Sequence, residues 1–461
     1  MVILRQAQRK SAKERNGDVA PQKVVQQSNP RLCVDIGTTT VAIELYDSAG
    51  QFVDGAQENN RQLLMGSDVM MRLMHVKQGR GKRLTEEIRA QIYEMGMDLL
   101  QKHRQLFADK LIPECVYLVG NTVMCHLFLE KDCTGLMGAP FRSAYEGSYM
   151  TTGAEIGWQS WEQTTVYVLP GIAAHVGADA AAMFGELALW HTDKKELAVD
   201  IGTNAEMFLN VNGKVVACST AAGPAFEGQG IHCGKRAGVG VVNGVKLMRG
   251  NGAVVLDVIA EQPQVPAPVG LCGSGLIDAI AQMLQYGIVT KDGYMLSQEE
   301  ARKEGCVPAF AARLRLDSAG EKYFVLYEAG VDGRGEKDLV VTQSDIRTFQ
   351  LAKAAIRAGM EMMLARQHLT VNDLDALFVA GVFGGFLHPE NAKKTGLLPD
   401  LPMHKLQFVG NAAGRGAAKV MRQPNFVKEW TEQISRVEHI ELADEPDFQT
   451  VYMQAMELAH W

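Results

Sequence analysis

The sequence predicts an α/β protein made of two related halves. Two similar stretches indicate the duplication: Val34-Asp35-Ile36-Gly37-Thr38-Thr39-Thr40 and Val199-Asp200-Ile201-Gly202-Thr203-Asn204. Each stretch ends an apolar, strand-like run on a carboxylate and then turns through glycine. Two more strand-like runs joined by a turn follow each stretch, so one strand–turn–strand–turn–strand unit occurs twice. A repeat at so long a spacing is typical of two related domains and not of a solenoid.

The turn after each carboxylate has the chemistry of a phosphate site. Three threonines follow Gly37, and Thr203 and Asn204 follow Gly202. Such a turn offers backbone N–H groups and small side-chain donors to a phosphate. An aspartate at the strand end can hold a hydrated Mg²⁺ beside that phosphate. Two such turns facing each other would clamp a nucleotide polyphosphate from both sides.

Size and composition indicate a globular protein of ordinary type. A chain of 461 residues predicts two or three domains, and 47% hydrophobic with 21% charged residues is a usual balance. The net charge of -7 gives no reason to expect nucleic-acid binding. The sequence has no apolar run long enough for a membrane span and no signal-peptide core, so we expect a cytoplasmic protein.

The eight cysteines favour a reducing compartment. None forms a C-x-x-C pair, and most lie in apolar or Gly-rich runs, where they are typical of buried free thiols. A second hypothesis is a cluster bridged between two subunits, with Cys125 and Cys133, or Cys233 and Cys272, as the ligands. Residues 1–30 are basic and, beyond the first few residues, poor in apolar side chains. They are predicted to form a disordered tail, either a solvated linker or a docking arm for an acidic partner.

The predicted elements alternate between strands and helices. Strands are expected at 32–36, 41–46, 51–55, 114–119, 166–169, 197–201, 206–211, 214–219, 377–379 and 439–442, with Asn212-Gly213 as a hairpin turn. Helices are expected at 84–107, 179–189, 276–284 and 448–458, and after the capping box Thr342-Gln343-Ser344-Asp345. The predicted domains are 31–195 and 196–461, with an irregular insertion around 290–340.

Three further residues have open roles. Asp179 stands where an Ala-rich helix begins, so it is either a helix cap or a poised carboxylate. Lys353 interrupts an apolar helical stripe, and its side chain either extends outward or reaches a nucleotide. The pair Gly234-Lys235 does not complete a Walker A motif, because Gln229 and Arg236 occupy positions that require glycine and a hydroxyl residue.

The ordered set of motifs resembles the ATPase superfamily of acetate and sugar kinases, Hsp70 and actin. The set comprises both Asp-Ile-Gly-Thr stretches, the helix after Gly273-Ser274-Gly275, and the strand end Ala380-Gly381-Val382-Phe383-Gly384-Gly385. The resemblance implies duplicated RNase-H-like (actin/Hsp70-type) domains with ATP and Mg²⁺ in the cleft between them. It implies that Asp35 and Asp200 hold Mg²⁺ through water.

The same resemblance assigns the remaining site residues. Phosphate contacts would come from Gly37, Thr38, Thr39, Gly202, Thr203 and Asn204. Gly381, Gly384 and Gly385 would lie against adenosine, and Val382 stands where the motif often has a further glycine. Asp179 would position the attacking water, since type III pantothenate kinases carry their base in a similar Gly-x-Asp before a helix.

A narrower resemblance is to the reductive activators of corrinoid proteins, over roughly residues 31 to 461. It rests on the strings at 118–122, 169–179, 223–228, 349–356 and 396–400. It implies an ATP-hydrolysing protein that returns a Co(II) corrinoid methyl carrier to Co(I). Those activators carry an iron–sulfur module, and this sequence has no ferredoxin-like cysteine cluster. We therefore expect no iron–sulfur cluster on this chain and an external ferredoxin or reductase as the electron donor.

Two other functions remain open from the sequence. One is a small-molecule kinase of the same superfamily, although no acceptor-binding motif is evident. The other is a non-catalytic nucleotide-binding assembly factor. The distribution of apolar positions also allows a homodimer.

Overall fold

Two six-stranded sheets organise the chain. The computed structural model describes residues 2–6, 29–261, 264–330, 335–381 and 387–461. The strands are β1 (Val2–Gln6), β2 (Arg31–Ile36), β3 (Thr40–Tyr46), β4 (Phe52–Asn59), β5 (Cys115–Gly120), β6 (Tyr149–Thr152), β7 (Thr165–Val168), β8 (Lys195–Ile201), β9 (Ala205–Val211), β10 (Lys214–Thr220), β11 (Val241–Met248), β12 (Ala253–Val258), β13 (Gly270–Leu271), β14 (Leu314–Leu316), β15 (Lys322–Tyr327), β16 (Leu339–Thr342), β17 (Ala376–Gly381), β18 (Leu406–Gly410) and β19 (Glu438–His439).

The α-helices cover the faces of these sheets. They are α1 (Val69–Lys77), α2 (Gly81–Lys102), α3 (Thr122–Leu129), α4 (Gly153–Ile156), α5 (Ala178–Leu187), α6 (Gly273–Gln285), α7 (Gln298–Lys303), α8 (Pro308–Ala311), α9 (Gln343–Arg366), α10 (Pro389–Lys394), α11 (Ala412–Arg422), α12 (Pro424–Ile434) and α13 (Phe448–Gln454). Within the described ranges, none of these helices combines the length and apolar character needed to cross a bilayer.

The two large sheets repeat one topology. In the first, β2, β3 and β4 pair antiparallel, while β5 and β7 extend from β2 in parallel. In the second, β8, β9 and β10 pair antiparallel, while β17 and β18 extend from β8 in parallel. The orders β4-β3-β2-β5-β7 and β10-β9-β8-β17-β18 therefore match strand for strand. This confirms the duplicated RNase-H-like α/β fold predicted from the two Asp-Ile-Gly-Thr stretches.

Local sequence explains the central strands and their turns. In β2, Leu32, Cys33, Val34 and Ile36 are buried, as expected for a strand covered on both faces by helices. The hairpin between β9 and β10 turns at Asn212-Gly213 with φ values of 54° and 81°. Both residues thus occupy the left-handed region that a two-residue type I′ turn requires.

Small residues bring the two halves together at α5 and α11. A Cβ added to Gly416 on α11 would lie 2.0 Å from the backbone oxygen of Ala182 on α5. The indole of Trp430 also packs closely on Gly185, since a Cβ there would lie 2.8 Å from its Nε1. These two helices follow equivalent strands, β7 and β18, so their crossing fixes one half against the other.

Two predictions about chain segments need correction. The predicted tail at residues 1–30 is wrong for Val2–Gln6, which form β1 and pair in parallel with β12 of the second half; residues 7–28 lie outside the described residues. The alternating apolar side chains Val2 and Leu4 pack against the core, which explains the pairing. The insertion around 290–340 is not irregular, because β14, β15 and β16 form a three-stranded sheet.

Lys353 neither extends outward nor reaches the cleft. It is fully buried in α9 and donates a hydrogen bond to the backbone oxygen of Glu457, near the end of the chain. Burial lowers the pKa of its ammonium group to about 7. Its ammonium group pairs a backbone acceptor of the C-terminal segment, and both sequence hypotheses for it are wrong.

Candidate nucleotide site

The two turns meet at the floor of one cleft. The hydroxyl of Thr39 lies 2.9 Å from the hydroxyl of Thr203, which joins the halves directly. Above this contact is a cavity of about 740 Å³. Its lining includes ten residues predicted from the sequence: Asp35, Gly37, Thr38, Thr39, Asp179, Asp200, Gly202, Thr203, Asn204 and Gly381. The other two, Gly384 and Gly385, lie outside the described residues.

The first turn is held from below by buried polar side chains. The Gly37 amide donates to the oxygen of Thr40 at 2.8 Å, and a Cβ on Gly37 would lie 2.8 Å from that same oxygen. Asn60 donates from Nδ2 to the Gly37 oxygen at 2.9 Å. The buried guanidinium of Arg72, on α1, donates to the Thr38 oxygen. With its carbonyls paired in this way, the turn is rigid and its hydroxyls face the cleft.

The second turn is built in the same way with different partners. The Gly202 amide donates to the Asn204 oxygen at 3.0 Å. The Thr203 hydroxyl donates to Oε1 of Glu227 at 2.7 Å. Gly381 closes the turn from the side: its φ is +97°, and a Cβ there would lie 2.6 Å from Oδ1 of Asp200. Only glycine combines that backbone conformation with so close an approach to the carboxylate.

Buried carboxylates dominate the electrostatics of the cleft. Burial, with a contribution from the Asp179 carboxylate, raises the pKa of Asp200 to about 7. Burial raises the pKa of Asp179 to about 6, although the Ala180 amide donates to its Oδ1 at 2.8 Å. The pKa of Asp35 is raised well above its usual range by burial and by the Asp179 and Asp200 carboxylates. The cleft therefore resists holding all three charges without a counter-cation.

The donor set fits a hydrated divalent cation. Six carboxylate residues line the cavity: Asp35, Glu58, Asp179, Asp200, Glu206 and Glu227. Within the described part of the chain, no three His, Cys, Asp or Glu side chains lie close enough together to ligate a metal directly. Carboxylates spaced around a polar cavity suit an ion that keeps part of its water shell, as Mg²⁺ does.

The starts of α5 and α11 place two more polar groups at the cleft. The N-cap of α5 is Gly177, so Asp179 is the second helical residue and not the cap. At the equivalent place in the second half, Asn411 caps α11 by accepting from the Gly414 amide at 2.8 Å. Both helix N-termini thus face the cavity, where their partial positive charge favours an anion.

Comparison with known proteins identifies the family. Residues 194–461 match the family model described as the C-terminal domain of RACo, the ASKHA domain, and residues 31–190 match the RACo middle region. The chain belongs to the RACo family. It is 32% identical over 429 residues to the corrinoid activation enzyme RamQ of Eubacterium limosum, covering 92% of this chain and 69% of the relative.

Two further similar proteins support the assignment. The [Co(II) methylated amine-specific corrinoid protein] reductase of Methanosarcina barkeri is 28% identical over 392 residues, or 82% of this chain and 66% of the relative. A solved reductive activator for corrinoid, iron–sulfur protein superposes with a TM-score of 0.82 at 31% identity, covering 95% of this chain and 67% of that one. The chain spans about two thirds of the length of these relatives.

Sequence reasoning missed several residues that line the RACo-family cleft: Asn121, Glu206, Glu227, Arg236, Ser274 and Asn411. Asn121 and Glu227 lie in strings that carried the family resemblance, but nothing in the strings pointed to a cleft position. Asn121 donates to the Thr38 hydroxyl at 3.4 Å, so it links the end of β5 to the first turn. Glu206 follows the second turn on β9, and burial raises its pKa well above the usual range.

The cysteines do not form an exposed ligand set. Cys125, Cys133 and Cys272 are buried, and Cys233 is half-buried. A thiolate that bridges a cluster to a second subunit must reach the surface, so the burial of three of these four thiols disfavours the bridged-cluster hypothesis. Burial also raises the pKa of Cys125 above its usual range, as expected for a structural thiol.

Proposed function

We propose that this chain is the ATP-hydrolysing part of a corrinoid-protein activator. One observation carries the proposal: two phosphate-type turns meet at a single carboxylate-rich cleft in a chain of the RACo family. Relatives that match most of this chain are named as a corrinoid activation enzyme and as a corrinoid-protein reductase. In this function the chain drives the conversion of a Co(II) corrinoid methyl carrier to Co(I), which consumes one electron per cobalt.

The residues of the cleft support specific roles in ATP binding. The turns at Gly37–Thr39 and Gly202–Asn204 supply amides and hydroxyls to the phosphates from opposite sides. Asp35 and Asp200 hold Mg²⁺ through its water shell, which relieves the mutual repulsion of the buried carboxylates. The cation supplies charge neutralisation for the departing phosphate.

Asp179 is the proposed water-positioning carboxylate. It lies at the start of α5, and its carboxylate contributes to the raised pKa values of both Asp35 and Asp200. Its own raised pKa of about 6 places its titration close to neutral pH. A group that titrates there can accept a proton from an attacking water when ionised. The Ala180 amide holds one carboxylate oxygen, which leaves the other available for the water.

The electrons are proposed to come from a separate iron–sulfur protein. ATP hydrolysis transfers no electron and so does not itself change the oxidation state of cobalt. The reduction therefore needs an electron donor of low potential. The role of this chain is then to couple the hydrolytic step to a state of the complex in which the corrinoid accepts that electron.

Anaerobic spectroscopy tests the function. The purified chain is mixed with a corrinoid protein in the Co(II) state, Mg²⁺-ATP and a chemical one-electron donor such as titanium(III) citrate. We expect Co(I) absorbance to grow only when chain, ATP and donor are all present, and ATP turnover to rise when the corrinoid protein is added. Absence of Co(I) with every donor tried, including reduced ferredoxin, contradicts the proposal.

A further inference from the structure

The cleft contains one basic side chain that no sequence motif identified. Among the described residues that line the cavity, Arg236 is the single lysine or arginine, and it faces six carboxylate residues. A nucleoside triphosphate adds more negative charge to this space. Among the described lining residues, only Arg236 can offset this negative charge. Its position therefore affects how strongly an anionic ligand is held.

Arg236 spans the cleft from the second half to the first. It lies on the loop between Glu227 and β11 in the second half, and its guanidinium reaches β4 in the first half. Its Nη2 donates to Oε1 of Gln57 at 2.9 Å, and its Nη1 donates to Oδ1 of Asn59 at 3.3 Å. Both acceptors are neutral side-chain amides, and both residues also line the cavity.

The neighbouring Lys235 points elsewhere and provides a natural control. Gly234 makes a parallel bridge with Leu271, so the backbone is extended there and successive side chains face opposite ways. The stem of Lys235 packs beside Gly270, and the residue lines a second cavity of about 1160 Å³. That cavity lies against β16 and does not include Arg236 among its lining residues.

The partners of Arg236 are weak compared with a phosphate. A hydrogen bond from guanidinium to a neutral amide lacks the charge assistance of an Arg–phosphate pair, which is also bidentate. Burial lowers the pKa of Arg236, and the Glu227 carboxylate opposes this effect, so the cation is held in a partly dehydrated place. There an anionic ligand gains more from pairing than it would in water.

We propose that Arg236 is the polyphosphate-binding cation of this cleft, released from Gln57 and Asn59 when the nucleotide binds. This inference rests on the proposed ATP site. It adds a phosphate-binding residue to that site and an exchange of its hydrogen-bond partners, from two side-chain amides to the nucleotide. Loss of these two hydrogen bonds removes the contact that Arg236 makes between the loop of the second half and β4 of the first half. Cys233, Gly234 and Lys235 of the same loop line the second cavity. The exchange therefore also couples nucleotide binding in the cleft to the wall of the second cavity.

Calorimetric titration of Mg²⁺-ATP and Mg²⁺-ADP into the chain tests the proposal. Arg236→Ala is expected to weaken ATP binding about 10- to 100-fold, the usual size for one lost charge-assisted contact. Arg236→Lys is expected to recover part of that loss, because it keeps the charge without the fork. Lys235→Ala removes an equal charge one residue away, but Lys235 lines the second cavity and not the cleft. Its affinity for ATP is therefore expected to stay within about twofold of the wild type.

A fourth variant separates ligand binding from simple tethering. Gln57→Ala removes an acceptor that competes with the phosphate, so we expect ATP binding as tight as in the wild type or tighter. If Gln57→Ala weakens binding as much as Arg236→Ala, the arginine tethers the halves and does not bind phosphate. If Arg236→Ala binds ATP with wild-type affinity, the inference is wrong while the proposed function stands. If the wild type binds ATP but never yields Co(I), while Arg236→Ala still weakens ATP binding, the proposed function fails and this inference stands.

Discussion

Replacement of Asp200 by asparagine should stabilise the protein while it damages the site. The pKa of Asp200 is raised to about 7 by burial and by neighbouring carboxylates, against about 3.9 in an unfolded chain. The difference of about 3 units corresponds to about 4 kcal/mol at 1.36 kcal/mol per unit. The folded state binds this proton more tightly, so the wild type is most stable below the unfolded pKa. That stability is lost as pH rises to about 7.

Urea unfolding at several pH values measures this effect. Asp200→Asn should match the wild type near pH 4 and exceed its free energy of unfolding by about 4 kcal/mol at pH 8, because asparagine carries no charge to bury. Saturating Mg²⁺ should narrow the gap, since a cation favours the ionised carboxylate.

Asp54→Asn is the control of opposite sign. Lys102 and His103 hydrogen-bond the Asp54 carboxylate at 2.8 and 2.7 Å and hold its pKa below the usual range. That variant should lose stability at pH 8 and match the wild type at low pH. A pH-independent difference for Asp200→Asn, or a loss of stability at pH 8, would refute the reasoning.

Three other predictions follow from packing and burial. Gly416→Ala should lower the free energy of unfolding by about 1–3 kcal/mol, because its Cβ would lie 2.0 Å from a backbone oxygen of α5, whereas Gly250→Ala, with open space around it, should change little. Titration of native protein with a thiol reagent should find one fast-reacting thiol that Cys233→Ser removes, since the other seven cysteines are buried. Lys353→Met should be no less stable than the wild type at pH 6, where burial of the charged ammonium is costly, and a clear loss in thermal denaturation at that pH would show that the bond to Glu457 outweighs this cost.

Sequence reasoning predicted the duplicated sheet because each half carries strong local patterns. The runs that became β2, β3, β8 and β9 are apolar enough to be read as buried strands, and Asn212-Gly213 permits little besides a hairpin. The two turns located eight of the residues that line the cleft, and the family resemblance added Asp179 and Gly381. In each case the residues of one short segment are enough to predict the local structure that the segment forms.

The missed features depend on contacts between distant parts of the chain. The strand at Val2–Gln6 forms because β12 offers an edge, and the short apolar run Val2-Ile3-Leu4 does not by itself indicate that partner. The buried Lys353 donates to the backbone oxygen of Glu457, 104 residues away, which no local pattern predicts. Arg236 reaches a strand 177 residues earlier in the chain, which a comparison with the Walker A motif could not suggest.

Binding stoichiometry tests most directly whether the two turns form one ATP site. Mg²⁺-ATP is titrated calorimetrically into the wild type, Asp35→Asn, Asp200→Asn and the double variant, with circular dichroism to confirm folding. We predict one site per chain, a strong loss of affinity from either single change, and a double variant little worse than each single one. Two independent sites, or a single variant that binds ATP as tightly as the wild type, would contradict the account.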